Sequence, residues 1–189
     1  MKHLFEDQLF EDKDFSKENI EKQQFEHCIF KKCNFSKLHL FETDFTDCDF
    51  IDCDFSLVKM TQTGLKNVKF KTCHLLGVNF SDCKQFLLEI DFKDCQLSMS
   101  SFYQLKLKGI RFKNCNLKEV DFVETDLNQA DFDQSDLAGA IFENSNLEKA
   151  DFRNAINFQI KPEINHLKKT KFSSDGLMGL LTHLDIIID

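Results

Sequence analysis

From Phe5 to Phe80 every fifth residue is apolar, sixteen in a row without a miss. A second run starts at Leu87 and reaches Phe152, and in it Leu and Phe alternate without exception. A period of five fits neither the 3.6 of a helix nor the 2 of an ordinary strand. The stretch FTDCDFIDCDF (45–55) shows the unit twice, with a small residue two places before each large one. All eight cysteines (28, 33, 48, 53, 73, 83, 95 and 115) fall in the phase of that smaller position, seven of them two places before a large apolar residue and Cys83 two before Gln85. The residue between the two is usually Asp or Asn and points outward.

A five-residue unit with two inward side chains is one wall of a solenoid, a fold announced by fixed repetition. Grouping the large positions by fours tests for a 20-residue coil. One wall then holds Phe10, Phe30, Phe50, Phe70, Phe92, Phe112, Phe132 and Phe152. The small positions of the next wall hold Cys33, Cys53, Cys73, Cys95, Cys115, Ser135 and Ala155. Both ladders stay pure across the seven-residue step from Phe80 to Leu87, which places a two-residue bulge within 81–89. The expectation is an all-β solenoid, a four-sided β-helix of about eight coils. The phenylalanines at the large positions, most of the chain's 22, would stack up its middle at about 4.8 Å, the strand spacing.

This two-phase pattern resembles the pentapeptide-repeat proteins, whose fold is a right-handed quadrilateral β-helix. The resemblance covers about residues 5–158. The chain is therefore divided into a β-helix over 1–158 and a C-terminal cap and dimerisation segment over 159–189.

The bulk properties exclude several classes of function. Net charge is −8, so direct contact with nucleic acid or an anionic membrane is not expected. No stretch approaches the ~20 apolar residues of a membrane span. The start MKHLFEDQLF is acidic by position 6 and reads as no signal peptide, which points to the cytoplasm. Cysteine spacings of five or more do not suit zinc, and in a reducing compartment the thiols are structural. His27, His39 and His74 fall on outward positions of three units, with no nucleophile or base beside them. No catalytic residue, cofactor or metal site is assigned.

Charge is unevenly distributed. Residues 119–151 contain Glu119, Asp121, Glu124, Asp126, Asp131, Asp133, Asp136, Glu143, Glu148 and Asp151 against the single base Lys149, a net −9. At four walls per coil that segment covers roughly 8 Å of axis, over which B-DNA carries about five charges. A second acidic band is Glu42, Asp44, Asp47, Asp49, Asp52 and Asp54. Basic stretches lie between the bands, at Lys59, Lys66, Lys69 and Lys71, and at Lys106, Lys108, Arg111, Lys113 and Lys118. Solvated outer walls and a partner-binding surface both account for the acids.

After Phe152 the five-residue phase fails, and Pro162 cannot sit inside a sheet ladder. Ser173, Ser174 or Asp175 can cap a short α-helix. On it Leu177, Leu180, Leu181 and Leu184 form one apolar stripe. With Met178, Ile186 and Ile188, that surplus of apolar residues suits both a cap on the open last coil and an end-to-end homodimer.

Two stretches narrow the family match. FKDCQLSMSSFYQLKLKGIRFKNC (92–115) resembles the corresponding region of Qnr-type quinolone-resistance proteins. IKPEINHL with GLMGLLTHLDIIID is similar to the end of an immunity protein against a gyrase-poisoning microcin, and to the Qnr dimerisation terminus. The resemblance implies an acidic rod that binds DNA gyrase or topoisomerase IV where DNA would lie, through the acidic bands and the dimer end. Gram-negative Qnr proteins also carry two projecting loops, where this chain has only the bulge. The alternative reading is a rigid interaction scaffold whose partner has nothing to do with DNA topology.

Overall fold

The computed structural model of the protein describes residues 3–184, 186 and 187. It is an all-β parallel solenoid of about six turns, judged by the six strands of its longer sheet. Strands are short because each five-residue wall gives only two to four residues to a ladder before the chain turns. The first sheet stacks β1 (Leu4–Glu6), β3 (Gln24–Glu26), β5 (Asp44–Thr46) and β7 (Gly64–Lys66). The second stacks β2 (Leu9–Glu11), β4 (Ile29–Lys31), β6 (Asp49–Ile51), β8 (Val68–Lys71), β9 (Ile90–Lys93) and β10 (Phe112–Lys113). All pairings are parallel, and the register sets Phe10, Phe30, Phe50, Phe70, Phe92 and Phe112 one above the other. Isolated bridges extend further ladders, such as Asn116–Asp136–Ile156 and Lys106–Asp126–Asn146–His166.

The phenylalanine ladder behaves as the repeat predicts. Ring centroids from Phe10 to Phe30 are 4.9 Å apart, and those from Phe132 to Phe152 are 4.6 Å apart, with planes nearly parallel. Rings on adjacent walls meet edge to face, as Phe50 meets Phe55 at 4.9 Å and 88°. Each ring therefore has both favoured aromatic geometries at once. The stack does not stop at Phe152. Phe172 continues it at 5.5 Å, and backbone bridges run on to His166 and Lys171. Leu167 and Phe172 keep the five-residue phase past the break, and both pack against the core.

Between walls the chain turns through a residue in the left-handed region. Asp7, Asp12, His27, Asp47, Asn67 and Asn114 are examples, with φ between 50° and 54°. Asn and Asp tolerate this conformation better than most residues, which explains part of their abundance after each centre.

The small inward position is more than small. Six cysteines (28, 33, 48, 53, 73 and 95) lie where the thiol can donate to a carbonyl one coil below, as Cys53 Sγ does to Phe30 O (3.4 Å) and Cys73 Sγ to Phe50 O (3.4 Å). Where the position is Thr or Ser, the hydroxyl makes the same bond: Thr43 to Ile20 O (2.9 Å), Ser100 to Leu75 O (2.7 Å), Ser145 to Phe122 O (2.7 Å). All eight cysteines are free and buried.

Three sequence expectations need correction. Leu87 is not an inward centre: it is 54% exposed with φ 58°, and Leu88 packs on the core instead. The inserted residues lie between Lys84, whose N–H reaches Thr63 O, and Glu89, whose N–H reaches Leu65 O. They end the first sheet after β7. The C-terminal helix is not α. The chain forms 3₁₀ segments at Asp175–Leu180 and Thr182–Leu184, in a stretch weakened by Gly176 and Gly179. Ser174 makes no side-chain cap; the Ser173 hydroxyl accepts from the Gly176 N–H at 3.1 Å. With three residues per turn the stripe splits. Leu180 packs on the core, Leu181 is half-buried, and Leu177, Met178, Leu184 and Ile186 are exposed. Ile188 lies outside the described residues.

Candidate functional site: an acidic girdle

The acids of 119–151 follow the chain round the rod. Asp121, Asp126, Asp131 and Asp136 belong to four different ladders, so they form a girdle and not a patch on one side. Several have local structural work. The Asp121 carboxylate accepts the N–H of Val123 (2.9 Å), and Asp126, Asp131, Asp136 and Asp151 accept in the same way from Asn128, Asp133, Ala138 and Arg153. These bonds hold the turn at each corner. The pattern of Asp followed two residues later by a free N–H was readable in the sequence as turn chemistry.

Cations neutralise one part of the girdle. Lys113 reaches Asp131 at 3.4 Å and Lys118 reaches Asp136 at 3.2 Å. Asp151 pairs with Arg153 at 2.7 Å and Lys171 at 3.5 Å, and the Arg153 guanidinium holds its carboxyl down to about 2. Glu148 pairs with Lys149 at 3.1 Å. Glu119, Asp121, Glu124, Asp126, Asp133 and Glu143 form no ion pair among the described residues. Asp121, Glu124 and Asp126 have neutral partners: Ser101 Oγ (3.1 Å), Gln104 Nε2 (2.7 Å) and Asn146 Nδ2 (2.7 Å). The uncompensated charge is thus concentrated on the arc 119–126, which spans two adjacent walls.

The second band is more fully engaged. Asp44 is bonded to Lys84, and Asp52 to the Thr72 hydroxyl. Asp47 accepts from Asn67 at 2.6 Å and faces His27 at 3.8 Å. Asp54 caps the Ser56 N–H at 2.8 Å, and Asp49 stands in register with Lys69. Glu42 takes the left-handed corner of this coil.

His39 pairs with Glu21 at 3.3 Å, and His74 belongs to an outer ladder. Glu6, Glu26 and His27 bring donor atoms within 4.8 Å of one another, with Glu26 half-buried and the other two exposed. Among the described residues no helix is long and apolar enough to cross a membrane.

What folds here is a rod of stacked parallel coils with a close-packed aromatic interior and its chemistry confined to outer ladders. The chain belongs to the pentapeptide-repeat family: the model of the pentapeptide repeat region matches residues 23–86 and 83–152. No curated protein sequence matches it. Solved structures that resemble it include two trypsin-treated variants of QnrB1, a plasmid-mediated fluoroquinolone resistance protein. One aligns over 100% of both chains at 15% identity with a TM-score of 0.64. The other aligns over 100% of both chains at 20% identity with a TM-score of 0.54. At these identities the likeness is one of fold.

Proposed function

We propose that this protein is a non-catalytic, cytoplasmic rod that binds a type II topoisomerase, DNA gyrase or topoisomerase IV, as a partial mimic of DNA. In this reading residues 1–158 form a right-handed, four-sided β-helix of about eight coils. Residues 159–189 cap it and join two copies end to end. The observation that carries the reading is the uncompensated arc Glu119–Asp126. Four carboxylates without an ion pair among the described residues lie there on two adjacent walls, within the band 119–151 whose net −9 over roughly 8 Å of axis exceeds the roughly five charges of B-DNA. Complementary charge steers such a rod to a basic groove and makes binding fall with salt. The fold shared with QnrB1 agrees with this reading and does not establish it.

The test is gyrase supercoiling with increasing protein, with and without a fluoroquinolone. Inhibition, or rescue from the drug, that is lost in Asp121→Lys/Asp126→Lys supports the proposal. Binding that persists unchanged at high salt sinks it. The second reading, a scaffold for a partner unrelated to DNA topology, is favoured by the paired acids of the other walls. It predicts no effect on supercoiling in either arm.

A further inference from the structure

Outside charges on this solenoid mostly cancel along their ladders. Asp49, Lys69 and Asp91 alternate in register, and the same ladder continues through Arg111 to Asp131, with Arg111 bonded to Asp91. Glu11 stands opposite Lys31, and Lys106 opposite Asp126. Such alternation is what a stacked sheet requires, because like charges directly opposite each other destabilise it.

Like charges meet in pairs at Glu6–Glu26 and Asp131–Asp151, and one ladder carries three in succession. Lys71 on β8, Lys93 on β9 and Lys113 on β10 stand one above the other. No other three like charges follow in register along the strands and bridges of the described residues. Lys113 has Asp131 beside it at 3.4 Å, whereas Lys71 and Lys93 form no ion pair among the described residues. The surrounding segment, residues 55–118, carries eleven bases against four acids. Rungs about 4.8 Å apart make the column about 10 Å tall. Ile51 lies below it, and Asp133 follows on the coil above.

We infer that the column Lys71–Lys93–Lys113 is a docking ridge for a short acidic segment of a partner protein, one presenting two or three carboxylates at helical i, i+4 spacing. Side chains so spaced lie about 5–6 Å apart, close to the rung spacing of the lysines. A nucleic-acid backbone fits less well. Its charges are continuous at one per about 1.7 Å of duplex, and along the axis it would run from a 10 Å basic column straight onto Asp133 and the acidic girdle. The ridge is independent of the proposed topoisomerase contact, and its test contains no topoisomerase.

The experiment is fluorescence anisotropy at low salt with the full chain. The probes are a labelled alanine-based helical peptide with Glu at every fourth position, its Gln counterpart, and a thymidine oligonucleotide. The Glu peptide should bind and the Gln peptide should not. Lys71→Gln/Lys93→Gln should weaken Glu-peptide binding about fivefold to tenfold. Lys71→Arg/Lys93→Arg should retain it. Circular dichroism establishes that both variants fold, and these surface exchanges leave the phenylalanine stack untouched. Equal binding of the two peptides, or equal binding by wild type and the Gln variant, overturns the inference. An oligonucleotide that binds more tightly than the Glu peptide, and loses affinity in the Gln variant, overturns the class of partner.

Discussion

Gly179 lies flat against Phe158. A Cβ added there would fall 2.7 Å from the ring Cδ2 and 2.8 Å from Cε2, while the Gly179 carbonyl accepts the Ile160 N–H at 2.9 Å. No side chain fits without moving backbone or ring. Gly179→Ala should therefore cost about 1–3 kcal/mol by overpacking. It should loosen the 3₁₀ segment before the coils, so hydrogen exchange at residues 173–184 rises while exchange in β3–β9 stays unchanged. Gly109→Ala is the control: nothing stands within 4 Å of its Cβ, and only the positive φ of 76° is strained.

The cysteine ladder makes stability depend on alkaline pH. Burial pushes the Cys48 thiol from the ordinary 9.0 up to about 12, and burial pushes Cys73 and Cys83 upward too. A thiol that stays protonated when folded but ionises when unfolded stabilises the fold fully below about pH 9. That contribution is lost as pH rises from there towards the folded value. Urea midpoints should hold steady around neutrality and fall above about pH 9. Cys48→Ser, which keeps a donor to the Phe25 carbonyl, should flatten part of that fall. The native thiols should resist alkylation at neutral pH until the chain unfolds.

Thr72 is a β-branched residue at φ 52°, a conformation that such side chains rarely adopt. At the equivalent corners Asn67 and Asn114 each donate to the aspartate one coil below, Asp47 at 2.6 Å and Asp94 at 2.8 Å. Thr72→Asn keeps a donor for Asp52 and removes the strain. It should raise stability by about 0.5–1 kcal/mol, visible as a higher thermal midpoint.

Under the proposed end-to-end association, Met178 and Leu184 are the exposed anchors of the C-terminal end. Met178→Glu/Leu184→Glu should halve the mass seen by sedimentation at micromolar concentration and leave the circular dichroism spectrum unchanged. A single-chain mass for the wild type at every concentration would remove the dimer from the picture.

Sequence periodicity revealed most of the coil interior, because the Phe and Cys ladders are pure and each five-residue step has one geometric solution. It failed where the period is broken by few residues. Leu87 continued the numerical phase although Leu88 made the contact, since counting cannot tell which residue of an insertion turns outward. Leu167 and Phe172 kept the phase but were hidden behind Asn157 and Pro162. The apolar stripe at 177–184 suited an α-helix, but two glycines and a short length favoured 3₁₀ turns. The acidic girdle was legible as composition only. Three of its carboxylates are neutralised by residues 18 to 20 positions away: Lys113 beside Asp131, Lys118 beside Asp136 and Lys171 beside Asp151.

The uninterrupted 20-residue register between β9 and Lys171 turns sequence distance into height. Deleting residues 93–112 as a block would close the register on itself and shorten the rod by one rung of about 4.8 Å, with every remaining side chain facing as before. Removing one residue fewer would rotate everything above the cut out of alignment. Such a chain works as a graduated gauge: it can change length only in whole notches, and any partner gripping it at two heights must match a whole number of them.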